Sequence, residues 1–255
     1  MSLRHQIWGK ERGNFDPSQD QEKFLNQLAA EGQSAGLNSI FAPTCAFTNR
    51  IVQLGEDDLL MDEWFIRTRQ PADGGIVEGP FDAVAFFNAD CPIVAVHDKK
   101  RGRLAVLHAG YRCLIPAARY NRRSAEEERR SIIQVLFEDK AFSPSNVEVF
   151  VGYGVGPCCY GFERNPSMRF DLQDGSLDLP IGRATRGPRA WQKSIDLYAL
   201  IEKQLGSVGV PEHRINVDYT CMGCFKDMSF PLYYSNCYDG PGAGRNASLA
   251  WFTSD

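Results

Sequence analysis

The segment NADCPIVAVHDKKRGRLAVLHAGYR, from residue 88 to 112, confines the chain more than any other stretch. Apolar residues 93–96 and 104–107 flank DKKRG, whose charges and glycine suit an exposed turn, so the two runs are expected to pair as an antiparallel hairpin. With the turn centred between Lys99 and Lys100, Cys91 falls opposite His108. Directly opposed side chains leave the same sheet face with Cβ atoms about 4.5–5.5 Å apart, near enough for a thiolate and an imidazole to hydrogen-bond or share a metal. A register slip of one residue would send one of the two to the other face. A buried cysteine beside a histidine that merely satisfies a backbone group is the alternative these residues leave open. His97 shares the face of Cys91 but lies about 20 Å along the strand at the turn. His5 and His213 fall in segments expected at the surface.

A chain of 255 residues with 43% hydrophobic content has ample material for a core. Its net charge of −4 provides no basic surplus to neutralise phosphates, which argues against a general nucleic-acid binder and for a small-molecule or protein partner. The opening MSLRHQIWGKERGNF lacks the apolar core of a signal peptide, and no run approaches the ~20 apolar residues of a membrane span. The expectation is a cytoplasmic protein without a membrane partner, its eight cysteines kept as thiols. Cys45, Cys113, Cys158 and Cys237 are read as buried structural thiols. CMGC, with Cys221 and Cys224, has the spacing of half a zinc site, but the sequence offers no second C-x-x-C or paired histidines to complete it.

Residues 16–31 are expected to form an amphipathic helix, with Asp16 as N-cap, Pro17 in the first turn, and Phe24, Leu25 and Leu28 on one face. FTNRIVQL (47–54) reads as a strand, GGIVEGPFDAVAFFNADC carries two more, NVEVFVGYGVG (146–156) reads as a central strand running into a loop, and ASLAWF as a last strand. Helical spacing recurs in SAEEERRSIIQVLFEDK through Ile132, Ile133, Leu136 and Phe137. It recurs again in WQKSIDLYALIEKQLGSVGV through Ile195, Tyr198, Ile201 and Leu205, ending at Gly206. Strands and helices mix without regular alternation, which predicts an α+β fold, one compact domain spanning 1–255 with a mixed sheet and flanking helices.

Five ordered motifs carry a family resemblance from about residue 40 to 252: NADCPIV, HAGYRCL, ADG at Ala72–Gly74, GYGVGPCCYGF and GRNASLAW. They resemble the laccase-domain proteins, also known as the multicopper polyphenol oxidase or purine nucleoside phosphorylase family. The resemblance implies a fold similar to the catalytic domain of cytotoxic necrotizing factor deamidases, with Cys91 and His108 lining a pocket as reactive pair and as metal ligands. It also implies zinc, or copper in older readings of the family, and a small-molecule substrate: a purine nucleoside together with phosphate. The implied reactions are phosphorolysis or adenosine deamination, with phenol oxidation and peptidoglycan-precursor editing as further family proposals.

The sequence departs from the family pattern at three places. Ala46 stands where the family's third metal ligand, a histidine, is expected; an early arginine-bearing segment is absent; and SNCYD, with Cys237 and Tyr238, replaces an arginine pair. Cys91 and His108 alone would hold zinc weakly, since a catalytic zinc takes three protein ligands and a water. Arg112 and Arg245 are expected to bind an anionic part of the substrate and Asp73 to orient a ligand, while a surface ion pair, a loop prop and a turn cap are their respective plain roles. Without metal, a thiolate activated by His108 gives a cysteine-type hydrolase. A non-catalytic ligand-binding paralogue is the rival from another class.

Overall fold

A computed structural model describes residues 1–18, 20–115, 130–161, 179–188, 190–227, 230–240 and 242–254. In chain order its strands are β1 (Ser2–Trp8), β2 (Ser39–Ala42), β3 (Ile51–Gln53), β4 (Asp58–Leu60), β5 (Phe65–Thr68), β6 (Gly74–Val77), β7 (Asp82–Asn88), β8 (Ile93–Asp98), β9 (Arg103–His108) and β10 (Val147–Gly152). They continue as β11 (Ile181–Arg183), β12 (Lys193–Ile195), β13 (Ile215–Val217), β14 (Lys226–Asp227), β15 (Phe230–Pro231) and β16 (Asn246–Thr253). The helices are α1 (Gln21–Ser34), α2 (Tyr111–Leu114), α3 (Ile132–Asp139) and α4 (Leu197–Ser207).

Instead of one mixed sheet the described residues form two six-stranded ones, ordered β1-β16-β7-β2-β5-β4 and β13-β10-β8-β9-β6-β3, with two small two-stranded sheets, β11-β12 and β14-β15. Both six-stranded sheets combine parallel and antiparallel neighbours. Period-two alternation explains how they stack. Ile93, Ala95, Leu104 and Val106 point at Val84, Phe86, Ala250 and Phe252 of the other sheet, forming the central core. The alternate residues Val94, Val96, Ala105 and Leu107 meet Ile132, Leu136, Tyr198, Ile201 and Leu205 from α3 and α4. On the far side, Phe24 and Leu28 of α1 cover Ile40, Phe65, Ala83 and Leu249. The result is a helix–sheet–sheet–helix stack, in the expected α+β class.

Local chemistry sets where each helix begins. Asp20, not Asp16, caps α1 by accepting from the Lys23 N–H at 3.2 Å, while Asp16 is spent on a turn with Ser18. Ser131 and Gln134 form a reciprocal capping box on α3, and of the longer expected helix the residues before Arg130 lie outside the described residues. Asp196 caps α4 through the Ala199 N–H, so the helix starts four residues after Lys193, which belongs to β12. β1 was not foreseen: it pairs along its whole length with β16 and forms the edge strand of that sheet. His5 on β1 is therefore half-buried, stacked on Phe150 at 3.5 Å with Nδ1 2.7 Å from the Tyr153 hydroxyl, while His213 is exposed.

The hairpin forms with its turn centred one residue further along than expected, between Lys100 and Arg101. Asp98 pairs with Arg103 and Ile93 with His108, leaving Lys99–Gly102 as the loop. The Asp98 carboxylate accepts from the N–H groups of Lys100 and Arg101, and Gly102 takes the left-handed conformation at φ +61°. Pairing thus shifts by two residues, which keeps every side chain on its original face.

Candidate active site

Cys91 lies just before β8 and His108 ends β9, so the turn's two-residue shift sets them diagonally rather than directly opposite. Both still look into the space between the two sheets, at one end of the stack. A Cβ added at Gly110 would lie 3.1 Å from Cys91 Sγ and 3.2 Å from His108 Cε1, so any side chain there would crowd both groups. Both line a cavity of about 440 Å³ that also takes in Cys45, Phe47, Arg67, Asn88 and Arg245.

The backbone that presents Cys91 is bent and firmly held. Asp90 adopts φ +96°, a conformation unfavourable for any residue but glycine. Its carboxylate accepts from the Ser235 hydroxyl and the Cys237 N–H, and its carbonyl from the Val155 N–H. Asn88 donates to the Cys91 carbonyl and is itself fixed by the Ser248 hydroxyl at 2.8 Å. These bonds offset the strained turn.

Asp73 lies beneath the pocket rather than in it. It is 0% exposed, with Oδ1 2.7 Å from His108 Nδ1, and its other oxygen accepts from the Thr48 N–H, the Thr48 hydroxyl and the Ala46 N–H. The expected ligand-orienting carboxylate is therefore one that orients a histidine: it holds the proton on Nδ1 and leaves Nε2 as the ring's other nitrogen. Burial opposes charge on both groups, but for His108 it is outweighed by the Cys45 and Cys91 thiols and by Asp73, which lift the imidazole well above its ordinary value. For Asp73, burial is likewise outweighed by the bonds from His108, Thr48 and Ala46, which hold the carboxyl below its ordinary value. Cys113, in α2, also lies against the ring; burial pushes its thiol up to about 12 and keeps it protonated.

The third position is where structure and sequence reading part. Ala46 is exposed and contributes only its N–H, while its neighbour Cys45 is half-buried, packed against the central core and also lining the cavity. Cys45 Sγ, an Asp73 oxygen and a His108 ring nitrogen all lie within 4.8 Å of one another. Cys45 immediately precedes Ala46 in the sequence TCAF. Cys45, Cys91 and His108 all line the cavity, but the group close enough to share a metal ion is Cys45, His108 and Asp73, with Cys91 outside it.

The arginines divide. Arg245 lines the cavity, with Nη1 donating to the carbonyls of Ala243 and Gly244. Arg112 is exposed and stands 6.0 Å from the Phe47 ring centroid, outside the cavity lining. Arg67, which no motif pointed to, enters the cavity from β5, and its buried Nε has no partner among the described residues. Phe47, 50% exposed with φ +58°, forms the mouth 5.6 Å from the His108 ring.

Two mixed sheets with Cys45, Cys91 and His108 lining a cavity that also holds Arg67, Arg245 and Asp16 define an α+β protein with its candidate site at one end of the stack. The sequence model of the family described as multi-copper polyphenol oxidoreductase laccase matches residues 16–253, and the chain belongs to that family. A purine nucleoside phosphorylase of Bacteroides thetaiotaomicron is 25% identical over 158 residues, 62% of this chain and 54% of that protein. Purine nucleoside phosphorylase YlmD of Geobacillus stearothermophilus is 26% identical over 159 residues, 62% of this chain and 51% of that one. The matches thus span little more than half the length of these relatives. In fold, the chain is similar to the crystal structure of YlmD from Geobacillus stearothermophilus, with a TM-score of 0.70 at 17% identity, covering 99% of this chain and 91% of that chain. The Bacillus licheniformis hypothetical protein YfiH gives 0.69 at 16%, covering 94% and 85%. Among the described residues no helix is long and apolar enough to cross a membrane.

Proposed function

We propose that the chain is a purine nucleoside-processing enzyme of the phosphorylase type, with its centre at Cys45, Cys91 and His108. The observation that carries this reading is the convergence, in one cavity, of Cys45, Cys91 and His108 with Arg245 and with Arg67, whose buried Nε has no partner among the described residues. The two guanidiniums suit a phosphate, which accepts paired N–H donors. Phe47 offers an exposed aromatic face at the mouth for a purine base to stack on. A zinc ion held by Cys45 and His108 would supply Lewis acidity toward a phosphate or water oxygen. Asp73 fixes the His108 ring in position, and the walls of the cavity bring the phosphate oxygen to the ribose carbon from which the base departs.

The test is base release from inosine, adenosine and methylthioadenosine, with and without phosphate, by zinc-loaded protein. Phosphate-dependent release is expected, lost in Cys91→Ala and His108→Ala, with Arg67→Ala raising the KM for phosphate. No turnover of any of the three, or ammonia release indifferent to phosphate, would overturn the assignment. The raised imidazole beside two thiols favours a second reading, a metal-free cysteine hydrolase with a thiolate–imidazolium pair. That reading requires activity to survive chelation; the phosphorylase reading requires chelation to abolish it.

A further inference from the structure

CMGC, half of a zinc site by its spacing, finds its other half in the adjacent pair Cys158–Cys159. We propose that Cys158, Cys159, Cys221 and Cys224 form a second, closed metal site for a zinc ion, which fastens the loop after β10 to the loop after β13.

The four sulfurs lie within 4.8 Å of one another, with Cys158 Sγ 3.9 Å from Cys159 Sγ and 3.6 Å from Cys224 Sγ. A tetrahedron with zinc–sulfur bonds of about 2.3 Å has sulfur–sulfur edges of about 3.8 Å, whereas a disulfide would need about 2.05 Å. The spacing therefore fits four thiolates around one ion. β10 and β13 run parallel, so both cysteine-bearing loops leave the same end of the sheet and are brought side by side by the fold. The Gly156 N–H donates to Cys221 Sγ at 3.1 Å and Arg186 Nη1 to Cys224 Sγ at 3.6 Å, bonds that stabilise negative sulfur and offset the excess charge of four thiolates on a divalent cation. Gly223, inside CMGC, packs so tightly that a Cβ there would lie 3.0 Å from Cys159 Cβ and 3.3 Å from its sulfur.

The donors are all soft and include no oxygen, which selects zinc over magnesium or calcium, and four protein ligands leave no open position for chemistry. Cys159 and Cys221 are 1% and 9% exposed, while Cys158 and Cys224 are half-buried and give the ion access from outside. The clamp bears on the pocket. Met222 N–H donates to the Gly154 carbonyl at 3.0 Å, and the Val155 N–H to the carbonyl of Asp90, the residue before Cys91.

Zinc content is measured on chain purified without chelator, in a Cys45→Ala/Cys91→Ala/His108→Ala background that removes the pocket donors. One zinc per chain is expected there, and none when Cys221→Ser and Cys224→Ser are added. Because the serine pair could unfold the loops, the same pocket variant is also loaded with cobalt, which at four thiolates gives intense sulfur-to-metal charge-transfer absorption together with tetrahedral d–d bands. A folded pocket variant that takes up neither metal, or a non-reducing peptide map joining the two loops by disulfides, would overturn the proposal. Failure of nucleoside turnover would leave this result untouched, since the readout is metal content alone.

Discussion

At the scale of single residues, the site depends on Asp73 as much as on the groups that face the pocket. Its carboxylate fixes the tautomer and angle of His108 and anchors Ala46 and Thr48, so it also positions Cys45. Asp73→Asn is expected to keep the fold and lower metal affinity or turnover by about 10–100-fold, the usual cost of losing such a support, as read by zinc titration and kcat/KM. In chelated protein the pair also links stability to pH. The depressed Asp73 contributes fully above the ordinary carboxylate value and loses its contribution as pH falls through its lowered one; the raised His108 contributes fully below the ordinary imidazole value and loses it as pH rises through its elevated one. The Tm gap between wild type and Asp73→Asn should therefore be widest between about pH 4 and 6.5 and narrow as pH rises through the elevated His108 value. A gap independent of pH would show that the pair is not charged.

Among elements, the β8–β9 hairpin shows what was legible and what was not. Apolar alternation identified both strands and the face shared by Cys91 and His108, because a two-residue shift conserves parity. The exact pairing was hidden, since it depends on Asp98 capturing two backbone N–H groups, which charge and glycine content alone do not specify. The bend at Asp90 was equally invisible: its partners Ser235, Cys237 and Val155 are remote in sequence. Gly110→Ala would push a methyl against the Cys91 sulfur and the His108 imidazole, and the expected outcome is an unchanged circular-dichroism spectrum with zinc affinity sharply reduced. Retained affinity would mean that His108 does not hold the zinc.

The whole molecule confers rigidity through stacked sheets, and here the limits of sequence reading were largest. Individual strands carry alternation, but which face meets which sheet is decided by long-range pairing such as β1 with β16, and so the second sheet went unforeseen. The role of Arg67 was hidden for the same reason, since β2 and β5 pair in parallel and bring Arg67 on β5 to one cavity with Cys45 in the loop after β2. The two sheets meet through a shared core, and Phe252, 1% exposed and stacked on His97 at 4.8 Å, is one of its large members. Phe252→Ala should cost about 3–5 kcal/mol by denaturant unfolding, through lost burial and the cavity left between the sheets. A cost well below that would mean that the two sheets are not tightly joined there.

The most direct test of the shared centre is a crystal structure of zinc-loaded protein with anomalous data collected at the zinc edge. A peak within bonding distance of Cys45 and His108 together is the predicted result. A pocket without a peak, or a zinc held by Cys91 and His108 with Cys45 turned away, would contradict it.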